Sequence, residues 1–274
     1  MSGSLTDTQL QQYERDGVLF PIPVLSSEEA SRYLQFSNEL EAHFGEHPTP
    51  AEMNQMQVHF RWAYDLVTHP KVLDAVEGVL GPNIVAWACA LFSKGPHTAH
   101  FTSWHQDGTY WNLDSTQVAT AWIALSKSSV ANGCMRVVPG SQTMDIQQHA
   151  DTYVDDNLLS RGQEIEVDVD EADAVNVVLQ PGEMSLHHVR IIHGSNCNGS
   201  DEKRVGYVIR YVTPEVRQHG ARLQAILARG QDDFDHFDFV DPPLPDRDFA
   251  GAVEDMKESA RQAVASVMQD SSAT

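Results

Sequence analysis

Three His-x-Asp triplets stand in this chain: His105-Gln106-Asp107, His149-Ala150-Asp151 and His236-Phe237-Asp238. Two imidazoles and one carboxylate on one face of an Fe(II) leave the other coordination positions open for a co-substrate and oxygen. In an extended segment residues i and i+2 point to the same side, so each triplet is able to supply two of those three ligands. A second histidine must come from elsewhere. His236-Phe237-Asp238 has no histidine after it. His149-Ala150-Asp151 lies in the polar segment QQHADTYVDDN, which reads as a loop. His105-Gln106-Asp107 sits in SWHQDGTYW, beside a β-rich stretch, and HHVRIIHGS follows well downstream. Within that run His187, Val189, Ile191 and His193 share strand parity. His193 precedes Gly194-Ser195, a turn that opens a strand end onto a pocket. His187 and His188 are alternative ligands, each more simply read as a core histidine.

The next basic residue of interest is Arg204, eleven positions past His193. It begins the strand-like RVGYVIRYV after the turn NGSDEKR. A hairpin return at that turn brings Arg204 near His193. An always-charged guanidinium there grips a carboxylate in a bidentate fork, and the Ser195 hydroxyl can donate to the same group.

These residues need elements to position them. From Thr6 to about Leu80 the apolar spacing is helical. Thr6 and Asp7 cap TQLQQYERDG, and Ser26-Ser27 precede a run in which Tyr33, Phe36 and Leu40 recur at intervals of three and four. From about Ile84 to Pro214 short β-rich runs (QVATAWIALS, CMRVV, NVVLQ, EMSLHHVRIIH, RVGYVIRYV) alternate with turn chemistry such as VPGSQ and QPGE. The tail DFAGAVEDMKESARQAVASVMQD returns to helix. The expected fold is mainly β with flanking helices: a double-sheet jelly roll, or cupin-like double-stranded β-helix. One domain is expected over residues 1–274. It has a helical buttress at about 5–80, a core at about 84–214 and a helical tail at about 246–270.

Composition sets outer limits. Hydrophobic residues make up 41% of the 274, enough for a sizeable core. The 18 Lys+Arg against 39 Asp+Glu give a net charge of −21, which argues against nucleic acid and anionic membranes as partners. The three cysteines show no CxxC spacing and fit unpaired thiols in a reducing compartment. The chain has no run of eighteen apolar residues, and its polar start lacks the pattern of a signal peptide, so a cytoplasmic location is expected. Oligomeric state leaves no mark in the sequence.

HQD, followed by PGEMSLHHVRIIHGSNCNGSDEKRVGYVIRY, resembles the phytanoyl-CoA dioxygenase family of Fe(II)/2-oxoglutarate oxygenases. The likeness runs from QYERDGVLFPIPVLSSEEA to IRYVTP. It implies that His105, Asp107 and His193 ligate iron and that Arg204 and Ser195 hold the distal carboxylate of 2-oxoglutarate. Gln106, Trp122 and Lys94 match positions that border the co-substrate. The implied reaction consumes O2 and 2-oxoglutarate, yields succinate and CO2, and hydroxylates an unactivated C–H bond. Asp107 favours hydroxylation over chlorination, because halogenases similar to this family replace that carboxylate by Ala or Gly. Bacterial members of similar pattern point to a small polar or zwitterionic substrate. The candidate class is aminoalkylphosphonates such as 2-(trimethylammonio)ethylphosphonate. Trp62, Tyr64, Tyr110 or Trp111 would face the quaternary ammonium, and Arg161 would hold the phosphonate. The alternatives are a hydroxylase of an acyl-CoA or of a secondary-metabolite intermediate, and a non-catalytic jelly-roll binding or sensing module. The acidic charge disfavours the CoA thioester.

Overall fold

The structure, a computed structural model, describes residues 5–44, 50, 52–109, 111–166, 169–220, 222 and 224–270. Helix α1 (Asp7–Asp16) opens at a capping box between Thr6 and Gln9 and closes at Gly17, whose φ of 72° suits glycine. Strand β1 (Val18–Pro23) follows, then α2 (Ser27–Ala42), opened by the Ser26–Glu29 capping box. Two helices, α3 (Arg61–Val67) and α4 (Pro70–Leu80), complete the N-terminal cover. The strands then run β2 (Ile84–Lys94), β3 (Thr102–His105), β4 (Val118–Ala124), β5 (Met135–Val137), β6 (His149–Asp151) and β7 (Gln163–Ile165). They continue as β8 (Val175–Asn176), β9 (Glu183–His188), β10 (His193–Ser195), β11 (Arg204–Val212), β12 (Gln224–Arg229) and β13 (Asp238–Phe239), before α5 (Phe249–Asp270).

Among the described residues the strands form a major sheet in the order β1-β9-β4-β11-β2-β12-β13 and a minor sheet in the order β3-β10-β5-β8. A separate pair joins β6 to β7. The two larger sheets face each other across a cavity, as a jelly roll requires. Strand parity divides the major sheet into two faces. Along β11, Val205, Tyr207, Ile209 and Tyr211 enter the apolar core under the helices, with Leu66, Val72 and Val76. Arg204, Val208 and Arg210, at the alternate positions, line the cavity. On β4, Ala121 and Ile123 join the helical side, and Thr120 and Trp122 point to the cavity. Both faces are covered, so these strands read as almost continuous apolar runs.

The structure corrects the sequence reading in four places. EMSLHHVRIIH is two strands rather than one: β9 ends at His188, the chain turns at Val189-Arg190, and β10 begins at His193 in the minor sheet. The shared parity of His187 and His193 therefore does not hold, and the two rings approach the cavity from opposite sheets. Arg204 is not brought back by a hairpin, because β10 pairs with β3 and β5 whereas β11 pairs with β2 and β4. His149-Ala150-Asp151 is a strand rather than a loop. The sheet also recruits β1 from the helical buttress and β12 from beyond residue 214. The cysteines are free: Cys89 and Cys134 are buried and Cys197 is exposed. Among the described residues no helix is long and apolar enough to cross a membrane.

Candidate active site

His105 ends β3 and pairs in register with His193, the first residue of β10. Between these strands the chain needs a glycine. A Cβ on Gly194 would lie 2.9 Å from the Thr102 carbonyl oxygen and 3.2 Å from that of Ser103. Each histidine donates Nδ1–H to a backbone carbonyl, His105 to Ser103 at 2.9 Å and His193 to Ile191 at 3.1 Å. A carbonyl only accepts, so each contact fixes the tautomer and leaves Nε2 with its lone pair, the arrangement that metal-binding imidazoles use. The chain turns after β3, and Asp107 opens a single 3-10 turn. Its carboxylate stands 3.5 Å from His105 Nε2 and accepts from the Thr120 hydroxyl at 3.4 Å.

Ligand atoms of His105, Asp107 and His193 all lie within 4.8 Å of one another, the one such group of three or more among the described residues. Burial presses the Asp107 carboxyl upward, but the nearby His105, His187 and His193 rings outweigh it and hold the group well below its ordinary range. Burial first, and then the neighbouring His105 charge, keeps His193 well below an ordinary histidine. An ionised carboxylate beside a neutral imidazole is the protonation state that a metal ion needs. The donor set fits a non-heme Fe(II).

The rival triplets are committed elsewhere. His149 Nε2 accepts from the Gln106 N–H at 3.0 Å, and its Nδ1 contacts the Gln147 carbonyl at 2.8 Å. His236 meets Arg217, and Asp238 pairs with Arg222 at 3.0 Å.

The facing wall of the cavity belongs to the major sheet. Arg204 is 2% exposed, with its guanidinium 5.4 Å from the centre of the Trp122 ring. One arm donates to the Gly133 carbonyl, and the buried Nε has no partner. Burial draws its pKa down to about 10, still charged near neutrality. Lys94, directly across from Arg204 on β2, donates to the Ser195 hydroxyl at 2.7 Å and to the Asn196 carbonyl. Burial, and then the Arg204 charge, lowers the Lys94 pKa to about 6. Arg204, Ser195 and Trp122 thus border one end of a cavity of about 270 Å³, whose wall also holds His105, Asp107 and His193. An unpartnered buried Nε on the major sheet, with a lysine-held hydroxyl on the minor sheet bordering the same cavity, is a fitting receiver for a carboxylate.

Gln106 lines the cavity, as expected, while its carboxamide donates to the Arg190 carbonyl at 2.8 Å and accepts from the Gln147 N–H at 2.8 Å, bracing the metal-side loop. Other expected residues fall elsewhere. Trp62 packs with Phe36, Phe60 and Tyr207 on the helical side of the major sheet. Tyr64, also on α3, packs against the same core under the Arg61 guanidinium. Neither borders the cavity, because α3 covers the outer face. Arg161 is half-exposed and pairs with Asp151 at 3.3 Å, although its neighbours Leu159 and Ser160 do line the opening. Trp111 is in the wall, and Tyr110 lies outside the described residues. Sequence reasoning misses Thr120 and Trp87, both in the wall. For Thr120 the available signal is its parity with Trp122.

Known proteins match this arrangement. The family model described as phytanoyl-CoA dioxygenase matches residues 13–206. Peroxisomal phytanoyl-CoA dioxygenase of Bos taurus is 33% identical over 140 residues, which cover 48% of this chain and 41% of that protein. A probable alpha-ketoglutarate-dependent hypophosphite dioxygenase of Stutzerimonas stutzeri is 29% identical over 153 residues, 55% of this chain and 53% of that protein. The matches therefore span about half of these curated relatives. Among solved structures, the non-heme monooxygenase ThoJ in its apo form superposes with a TM-score of 0.77 at 32% identity, covering 93% of this chain and 98% of that one. CytC3 with Fe(II) and alpha-ketoglutarate shares the fold at a TM-score of 0.66 and 19% identity, over 88% of this chain and 94% of that one. With the family model covering well over half of the sequence, the chain belongs to the phytanoyl-CoA dioxygenase family.

Proposed function

We propose that this protein is an Fe(II)- and 2-oxoglutarate-dependent oxygenase that hydroxylates a C–H bond of a small polar or zwitterionic molecule. One observation carries the reading: His105, Asp107 and His193 converge on one wall of a cavity whose other wall presents the buried Arg204. The two histidines and Asp107 hold the metal. Their Nδ1–H bonds to the Ser103 and Ile191 carbonyls fix the rings in the ligating tautomer. Arg204 takes the distal carboxylate of 2-oxoglutarate, with Ser195 beside it and Lys94 fixing the Ser195 hydroxyl. Trp122 closes the same end and keeps water from that ion pair. When bound, Fe(II) with O2 and 2-oxoglutarate supplies the oxidising power, and decarboxylation to succinate and CO2 accompanies insertion of one oxygen atom into the C–H bond.

The substrate class we favour is aminoalkylphosphonates, with 2-(trimethylammonio)ethylphosphonate as the type. A cavity of about 270 Å³ suits a compact molecule, and Trp87 and Trp111, with rings 5.4 Å apart, offer an aromatic wall for an ammonium group. The relative named for hypophosphite also points towards small phosphorus oxyanions. The cavity size and the net charge of −21 favour such molecules over a CoA thioester. The test is succinate release, with product mass, across a panel of aminophosphonates, betaines, ectoine-like zwitterions and free amino acids. Coupled succinate and a product heavier by one oxygen support the reading. No turnover with any phosphonate removes the favoured class, and no succinate from any member removes the hydroxylase.

A further inference from the structure

The major sheet carries a second polar feature that metal and co-substrate binding do not use. The register pairs Arg210 with Thr120, and Thr120 with His187, across β11, β4 and β9. The three side chains form one row on the cavity face, and each lines the cavity. Directly opposite residues in a sheet stand about 4.5–5.5 Å apart at Cβ. The Thr120 hydroxyl is bound to Asp107. Its two neighbours are not satisfied. His187 is 2% exposed, and neither ring nitrogen has a hydrogen-bond partner. The Arg210 Nε is buried without a partner, and no ion pair to Arg210 is found among the described residues. Its guanidinium lies 5.0 Å from the centre of the Trp111 ring.

Arg210 feels the Asp107 charge at a distance but has no anion among the described residues in contact with its partly buried guanidinium. A buried polar atom without a hydrogen-bond partner is costly, as is a buried imidazole without one. Here both cluster on one row and face open space. 2-Oxoglutarate held at Arg204 does not satisfy them. Arg210 stands six residues further along the same strand, roughly 20 Å at the strand rise of about 3.3 Å per residue. A five-carbon diacid is much shorter. The row also lies close to the metal-side ligands: the His187 and His193 ring centres are 5.0 Å apart, and His187 Nε2 is 3.8 Å from Asp107.

We propose that Arg210 and His187 form the recognition site for an oxyanion of the primary substrate, a carboxylate or a phosphonate, held at the opposite end of the cavity from Arg204. The guanidinium fork takes two oxygens, an N–H of His187 takes one, and the Trp111 ring stacks against the guanidinium to fix its plane. The Arg161 assignment is thereby replaced by a residue inside the cavity. The inference rests on the Fe(II)/2-oxoglutarate reading of the same cavity.

The experiment uses the whole chain with Fe(II) and saturating 2-oxoglutarate under anaerobic conditions. The visible metal-to-ligand charge-transfer band reports the co-substrate complex first. Methylphosphonate, acetate and neutral acetamide are then titrated, with band perturbation as the readout. Saturable perturbation by methylphosphonate, by acetate or by both, and none by acetamide, is the expected result, and the responding anion names the source. Arg210→Gln weakens that anion at least ~30-fold, as removal of one partner from a buried charged pair requires. Arg210→Lys, which keeps the charge but not the fork, falls between the two. His187→Gln gives a smaller loss and serves if Arg210→Gln does not fold. A normal band with no response to either anion overturns the anion site and leaves the oxygenase reading intact. So does an anion bound equally by wild type, Arg210→Gln and His187→Gln. A folded protein with no band overturns the oxygenase reading and this inference with it.

Discussion

Replacing Gly206 by alanine is the sharpest test of the wall that holds Arg204. Gly206 lies on β11 under the Trp122 indole, and a Cβ there would fall 2.0 Å from Trp122 Cζ2, 2.3 Å from Cε2 and 2.7 Å from Cη2. Carbon atoms rest at about 3.5–4.0 Å, so the ring must retreat by roughly 1.5 Å. It has little room. Trp122 is 5% exposed and packed among Val18, Val137, Ile191 and Val208, with the Arg204 guanidinium over its ring. Overpacking a filled core costs about 1–3 kcal/mol. At roughly 2–4 °C per kcal/mol for chains of 150–250 residues, the melting temperature falls by some 2–12 °C. The displaced indole also moves the base on which Arg204 rests, so the apparent 2-oxoglutarate requirement rises. Thermal unfolding and 2-oxoglutarate titration are measured for Gly206→Ala, Trp122→Leu and the double variant. The smaller leucine leaves space for the new methyl group, so the two changes couple, with the alanine costing less beside leucine than beside tryptophan. A Gly206→Ala protein as stable as wild type, with an unchanged 2-oxoglutarate requirement, refutes the packing and the role given to Trp122.

Three further outcomes follow from the same site. Asp107→Ala removes the one anionic member of the ligand set and abolishes hydroxylation; full activity in a product assay contradicts its assignment. Arg204→Ala raises the 2-oxoglutarate requirement roughly 30-fold or more, from about 2–5 kcal/mol for one partner of a buried charged pair, and an unchanged requirement moves the anchor to another residue. Lys94 has a pKa near 6 when folded, against 10.5 for an ordinary lysine. Between these values the unfolded chain binds a proton that the folded chain does not, so this group makes stability rise with pH from about 6 towards 10. Lys94→Met flattens that rise in denaturant midpoints taken at pH 6.5 and 9, and an unaltered slope shows that the lysine is not buried as described.

Much of the site was legible because its chemistry is local. His105 and Asp107 are two residues apart, and His193, Gly194, Ser195 and Arg204 follow in an order that turn and strand patterns make readable. The sheet assignment of those residues was not legible. EMSLHHVRIIH is apolar enough to pass as one strand, and nothing in its composition marks Val189-Arg190 as the point where the chain leaves one sheet for the other. Arg204 and His193 line one cavity because two sheets face each other, not because a hairpin brings them together. Trp62 and Tyr64 looked like pocket aromatics because a helix shows an amphipathic face in sequence but not which layer that face meets. The row of Arg210, Thr120 and His187 was hidden because its members lie on three strands and become neighbours only through register.

If His105, Asp107 and His193 hold an iron that receives 2-oxoglutarate, anaerobic addition of Fe(II) and 2-oxoglutarate to the purified chain gives a weak visible charge-transfer band. The band needs both additions, saturates at one iron per chain, and is lost when His105 and His193 are both replaced by alanine in a folded protein. A folded wild-type chain without the band, or a band that survives loss of both histidines, removes the iron site from these residues.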